Sequence, residues 1–547
     1  MLGVRINDAQ VFLSSIFPSQ GRRGCLAHLA KRNLPCMKTI WILGDQLPPG
    51  NSALYQASSK TERILIIESR NLGHHLKYHK KRLSLVYSGL RHCALEMRAT
   101  GWQVDHYPLE DTVDYETGIR QHLKRHPKAQ IYVAEPNDWP TAEVVRKLAK
   151  KYPITTVPTT RFLLARNDFK EWAADKKQLL MEHHYRAMRQ KTGYLMEKID
   201  GKMEPVGGTW NLDHANRKTY KDWVKDGSPL PHPRRTFPPD ATTRAVLATI
   251  EREFADHPGS TEGFDLPVTR QDALLALEDF ITHRLGKFGD YEDLMIEGEP
   301  TLFHSVLTPS LNLGLLTPAE CVEAAIAAWK KGRAPLNSVE GFVRQIIGWR
   351  EFINGVYWQK MPAYREVNAL EATRPLPSFF YTGDTKMNCL RETLGQVIDS
   401  GYNHHIQRLM VLGNFLLLAG IRPQEALNWF LEMYVDAWDW VMAANVLGMV
   451  LHADGGAMAT KPYAAGSGYI SKMSNYCAGC QYRTDEKTGD TACPFNYLYW
   501  NFFDQHAAFF EKNVRVAMPL NSWKKKTPAA QKAVRDSAKK FLANLES

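Results

Sequence analysis

Nowhere in this chain do about 18 apolar residues run together, so no segment is built to cross a membrane as a helix. The longest apolar stretch, Leu409 to Ile421, is broken by Gly413 and Asn414 and reads as a buried helix. Cysteine is scarce, 8 in 547 residues, which excludes a disulfide framework and points to a reducing interior. Neither common Gly-rich phosphate-binding fingerprint occurs, which excludes a dinucleotide held in the usual manner. There is no internal repeat. Acidic residues are the minority charge: 58 Asp and Glu against 69 Lys and Arg leave a net +11. That sign suits a polyanionic partner, nucleic acid before membrane, although a merely basic enzyme would carry it too.

What the chain does have is aromatic surface and four well-spaced thiols. Its 14 Trp, 22 Tyr and 22 Phe exceed what a core needs, and such rings bind a flavin, stack on bases or relay electrons. Cys477-Ala478-Gly479-Cys480 is followed after twelve residues by Cys493-Pro494, and Cys389 is the nearest upstream cysteine. Two thiolates two residues apart grip one metal centre, and a Pro after the last cysteine matches the ending of ferredoxin-type cluster motifs. Zinc accepts the same four sulfurs, so spacing leaves the metal open.

Length suggests two or three domains. Residues 1–36 carry Arg5, Arg22, Arg23, Lys31 and Arg32 against one acid, Asp8; they read as a disordered or upstream-start extension rather than a transit peptide. From 37 to 165 short apolar strands (39–43, 63–68, 103–107, 131–134, 154–157) alternate with helices over 78–100 and 141–151. That predicts a doubly wound parallel α/β domain whose ligands sit beyond the carboxyl ends of its strands, at Gly44-Asp45-Gln46 and Glu135-Pro136-Asn137-Asp138. A helix over 168–196 and an irregular connection over 207–235 lead to an all-helical domain from 241 to 547, ending in a basic amphipathic helix.

The helical half holds the unusual segments. In Leu302 to Gly314, Ser305 and Thr308 stand beside a Pro at a helix start, a place that suits a phosphate, though simple capping uses the same residues. Phe342 to Phe352 puts Gln345, Trp349 and Glu351 within two helical turns. His404 and His405 open the buried helix, and an imidazole suits proton transfer near neutral pH.

With Phe288 to Asp293, Ile42 to Leu47, Gly348 to Phe352, Gly455-Gly456 and Lys461-Pro462-Tyr463-Ala464, these segments resemble the photolyase/cryptochrome family. The likeness is closest to its bacterial iron–sulfur branch, which repairs (6-4) photoproducts, and it covers Met37 to the C-terminus. The resemblance implies an α/β antenna domain followed by a helical FAD-binding domain, and light-driven lyase action on UV-damaged DNA by a bacterial, cytoplasmic monomer. It assigns catalysis to His404, His405 and Tyr463. It assigns the flavin to Tyr291, Ser305, Leu307, Thr308, Gln345, Trp349, Arg350, Arg408, Asp436, Trp440, Asn445 and Met449. A 4Fe-4S cluster falls to Cys389, Cys477, Cys480 and Cys493, and a 6,7-dimethyl-8-ribityllumazine antenna to Leu43, Gly44, Asp45, Gln46, Glu135 and Asp138. The electron relay becomes Trp429, Tyr381 and Trp438, with Tyr381 replacing the usual Trp, and Met442 stands where a carboxylate is expected near the flavin. Lys461 and Trp349 become DNA contacts, and Asp213 with Asp293 a Mg2+ site. The rival readings are a cryptochrome-type light receptor with the same cofactors and a colourless zinc-stabilised nucleic-acid binder.

Overall fold

The computed structural model describes residues 37–545 other than 55, 56 and 60; the basic leader at 1–36 lies outside them. Five strands form one parallel sheet: β1 (Met37–Ile42), β2 (Arg63–Ile67), β3 (Gln103–Tyr107), β4 (Ala129–Ala134) and β5 (Ile154–Val157), in the order β3-β2-β1-β4-β5. Alternation along β1 explains how the sheet is covered. Ile40 and Ile42 face the main core with Leu83 and Leu85 of the Lys80–Ala99 helix. Trp41 and Leu43 face a second core with Tyr115, Ile119, Val145 and Leu148, carried by the Tyr115–Arg125 and Trp139–Ala149 helices. The strand order reverses between β1 and β4, so the two turns singled out from the sequence meet at one crevice.

The chain then departs from expectation. One helix was expected over 168–196; two form, Arg166–Ala173 and Met181–Thr192, the latter stopped by Gly193 in the left-handed conformation. Met196–Ile199 and Lys202–Pro205 pair as an antiparallel hairpin. The expected irregular connection also holds a short helix, Tyr220–Lys225, closed by a Thr219–Asp222 capping box that buries Trp223.

From Ala241 onward helices dominate. Three of them widen into π-helical turns at Arg344–Arg350, Gln407–Gly413 and Ala444–Val450. The last two approach closely at Gly413, where an added Cβ would lie 2.6 Å from Val450 Cγ1 and 2.8 Å from the Arg408 carbonyl oxygen. The α/β part is tied to this region by hydrogen bonds. Leu47 N–H donates to the Leu313 carbonyl (2.9 Å), His79 N–H to that of Glu432 (2.7 Å), and Trp139 N–H to the Tyr357 hydroxyl (2.7 Å).

Candidate functional site

The three π-helical turns frame one cavity of about 280 Å³ in the helical region. Each supplies wall residues: Gln345, Trp349 and Arg350 from the first, Arg408 and Leu409 from the second, Asn445 and Met449 from the third. A π-turn inserts a residue into the winding and is common at functional sites, because it re-aims the side chains around it. Ser305, Leu307, Thr308, Asp436, Trp440 and Met442 complete much of the wall. The fold thus brings these residues, distant in sequence, onto one wall. Sequence reasoning missed His304, Asn312 and Phe430, which also line the cavity.

Arg408 and Asp436 meet in a two-point ion pair at 2.9 and 3.0 Å, with side chains only 15% and 4% exposed. The guanidinium lies 4.0 Å over the Tyr434 ring, and Asn312 Nδ2 donates to the Asp436 carbonyl at 2.9 Å. Arg350 sits over Phe162 (4.3 Å) and Trp440 (5.1 Å), and its Nη1 donates to Glu351. Three buried polar atoms of wall residues, Asn312 Oδ1, His304 Nε2 and Arg350 Nε, have no protein partner. Helix Thr308–Leu313 starts with no side-chain cap. Aromatic and aliphatic walls with a few unsatisfied polar groups are what a large, flat, polar-edged ligand requires.

The adjacent histidines part company. His405 lines the cavity, while His404 is buried behind it and stacks on His304 with 4.3 Å between ring centres. Both ring nitrogens of His404 are buried without a partner. The second imidazole on the wall is therefore His304, not the expected His404. Burial, then the neighbouring His405, pushes His304 down to about 4. His405 is exposed where it opens to the cavity, yet desolvation by the surrounding chain, followed by Arg408, holds it down to about 4 as well. Burial drives His404 well below the ordinary imidazole value. All three are neutral at neutral pH.

Tyr291, expected at this site, is turned away: Phe288 takes the wall position, and Tyr291 packs on Phe303 with its hydroxyl donating to Asp226 at 2.7 Å. Lys461 and Tyr463 lie off the wall, on the loop after Gly455-Gly456; Lys461 is exposed and Tyr463 is packed partly into the core. Asp213 pairs with Arg217 and Arg344, and Asp293 accepts from Tyr469 at 3.4 Å. Burial, then Asp213, raises Asp293 to about 6. Trp429 is fully buried one ring behind the wall, 5.1 Å edge-on to Phe430, and its Nε1 donates to the Phe380 carbonyl. Tyr381 is 45% exposed and donates to Glu432.

Cys389, Cys477, Cys480 and Cys493 converge on one small pocket shared with Met387, Tyr476, Tyr482 and Phe495. Cys389 stands in the first turn of the Asn388–Ser400 helix, and Cys493 caps Pro494–Gln505. The intervening loop is closed by Arg483 N–H to Thr491 O (2.8 Å) and Cys493 N–H to Arg483 O (2.9 Å). Burial raises Cys477 to about 11 and Cys493 to about 12, so without a metal these sulfurs stay protonated. The arrangement fits a four-sulfur centre.

A second cavity of about 150 Å³ lies at the sheet's crevice, between the α/β part and the helices. Leu43, Gly44, Asp45 and Asp138 line it, as do Arg82, Arg365, Trp438 and Asp439. Burial, then Asp45 and Asp439, raises Asp138 to about 7. Gln46 and Glu135 are absent from its wall. Gln46 is consumed in donating to the Ala134 and Glu135 carbonyls (3.1 and 3.0 Å), and Glu135 turns toward Arg166. Trp438, expected in the relay, borders this cavity instead of the central one.

Comparison with known proteins accounts for this combination. Residues 40–266 match the family model of deoxyribodipyrimidine photo-lyase-related proteins. The (6-4) photolyase of Agrobacterium fabrum is 40% identical over 513 residues, covering 93% of this chain and 99% of that one. A bacterial class III photolyase from Agrobacterium tumefaciens shares the fold with a TM-score of 0.54 at 15% identity, over 95% of this chain and 100% of its own. A Synechocystis cryptochrome does so at 0.54 and 14%, over 93% and 100%. The chain belongs to the photolyase/cryptochrome family, on the branch of the bacterial (6-4) photolyase.

Proposed function

We propose that this protein repairs (6-4) pyrimidine–pyrimidone photoproducts in DNA under light, with FAD in the central cavity. The observation that carries the reading is His405: a neutral imidazole on the wall of the cavity where the ring-binding residues converge. Reduced FAD, when bound, supplies the light-excited electron that opens the photoproduct and takes it back afterwards. Ser305 and Thr308 suit its phosphates. Trp349 and Met449 suit its rings, and Asn445 suits its polar edge. Asn312 Oδ1, buried and unpartnered, awaits a donor of that kind. Arg408, fixed by Asp436, holds positive charge beside the rings. His405 is placed to donate a hydrogen bond through its N–H to the photoproduct and, when the negative charge of the bound lesion draws a second proton onto the ring, to pass that proton across and recover it. Lys461 and Tyr463 serve the DNA strand outside the cavity.

We further assign a 4Fe-4S cluster to the four convergent cysteines, as a tie between the Asn388–Ser400 helix and the chain's end. A ribityllumazine antenna suits the second cavity, where Asp45, Asp138 and Trp438 offer polar and stacking contacts, and Mg2+ suits Asp213 with Asp293. Illuminating the reduced protein with an oligonucleotide bearing one (6-4) lesion tests the central reading. Restored pyrimidines support it; unrepaired lesion with intact flavin leaves a light receptor of the cryptochrome kind, and a colourless preparation leaves a zinc-stabilised nucleic-acid binder.

A further inference from the structure

The Tyr115–Arg125 helix, whose first residue borders the second cavity, ends against the edge strand β3 of the α/β domain. His122 and the capping residue His126 are four residues apart and project from one helix face. Both point at Asp105 of β3. His122 Nδ1 is 3.2 Å and His126 Nε2 3.1 Å from the same carboxylate oxygen, Asp105 Oδ2. One donor atom from each of the three lies within 4.8 Å of the others. Neighbouring ligands of a single ion show such separations when each sits about 2.0–2.2 Å from the metal.

The hydrogen bonding of His122 is the more telling observation. Its side chain is 0% exposed, and Nε2 lies 3.1 Å from the Thr39 hydroxyl oxygen of β1. Its Nδ1 is buried without an aligned hydrogen-bond partner, although it faces Asp105 Oδ2. In the tautomer whose Nε2–H donates to Thr39, Nδ1 presents a lone pair toward Asp105 Oδ2, an arrangement that a cation between them completes; in the other tautomer Nδ1–H donates to Asp105. A ligating histidine commonly anchors its other ring nitrogen through an N–H to an oxygen, the part Thr39 is placed to play. Arg63 of β2 occupies the far side of the carboxylate, with Nη2 at 3.0 Å from Oδ1 and Nε at 2.9 Å from Oδ2. It orients Asp105, and its charge opposes a cation. His126, with its side chain 21% exposed, opens the site to water and supplies an entry path.

We propose that Asp105, His122 and His126 form a binding site for a divalent d-block cation of zinc's kind, pinning the helix end to the sheet's edge. Two imidazoles and one carboxylate suit zinc, cobalt or nickel better than magnesium or calcium, which prefer all-oxygen shells. Three protein ligands leave a fourth position for water. The assignment is independent of the light chemistry and of the cysteine site.

The test uses crystals of the full-length protein equilibrated with zinc chloride, with anomalous diffraction at the zinc edge separating this position from the cysteines. The expected result is a peak between the three side chains that disappears in His126→Ala. Equilibrium dialysis against zinc should show one bound equivalent fewer in that variant, or an affinity at least tenfold weaker. Arg63→Gln should bind zinc more tightly, because it removes the opposing charge. No peak between the three residues in the parent protein, or a peak that survives His126→Ala, overturns the proposal. His126 is partly exposed, so its replacement spares the core; an unchanged far-ultraviolet circular dichroism spectrum verifies the fold.

Discussion

The imidazole of His404 lies on that of His304, their planes 11° apart, and of these two rings only His304 reaches the cavity. His304 and His405 are thus the two imidazoles on the wall, with His404 buried behind them. His405→Ala should keep its flavin, as read from the visible spectrum, yet lose repair by a factor of ~10²–10⁴, the usual worth of a positioned proton donor. Repair at the parental rate would remove His405 from the chemistry.

Neutral burial of these rings makes stability depend on pH, with a definite sign. Their folded values lie below the ordinary 6.5, near about 4 for His304 and His405, mainly through burial. At these rings the unfolded chain therefore binds more protons between those values, so their contribution to stability is full above about 6.5 and is lost as pH drops toward about 4. Thermal melts of the flavin-free protein across this window should steepen toward acid, and His304→Gln should flatten the profile.

Asp436 answers a buried positive charge. Asp436→Ala leaves Arg408 enclosed and unpaired, which should cost ~3–5 kcal/mol in urea unfolding. Replacing Arg408 by Met in the same chain should recover part of that loss, since no uncompensated charge then remains.

Cys480 sits in the loop that closes the sulfur pocket. Cys480→Ser should give protein that is insoluble or lacks the broad iron–sulfur absorption. A soluble variant with unchanged colour and iron content would exclude this sulfur from the ligand set.

Trp429 lies behind Phe430, out of reach of any molecule in the cavity. Trp429→Phe should slow photoreduction of oxidised flavin while leaving repair by chemically reduced protein unaltered. Equal loss of both would show that the ring serves packing alone.

Much of this was legible in the residues because it is local. β3 and β5 begin and end where alternating or apolar runs meet Gly, Pro or charge, and the Pro423–Met433 helix runs between a Pro and the end of its apolar period. The cysteines were grouped by spacing. What escaped depends on long-range return of the chain. His304 follows Phe303 with nothing to mark it, and becomes a wall residue only because His404, a hundred residues later, stacks against it. Gln46 looked like a ligand at a strand end, but two carbonyls of β4's end claim its amide. The 196–205 hairpin is too charged to show an apolar alternation. Asp105 and the His122–His126 pair are separated by a strand-to-helix turn, so neither segment signals a site alone.

The widened turns carry a last consequence. A π-turn holds one residue more than regular winding, so deleting a single residue from Arg344–Arg350 would restore the ordinary helix. The helix beyond would keep its register, while the wall residues carried on the turn, Gln345, Trp349 and Arg350, would be re-aimed. The chamber's outline is therefore written in residue count as well as residue type. Single insertions and deletions at these three places are the changes by which relatives sharing this scaffold would reshape what they hold.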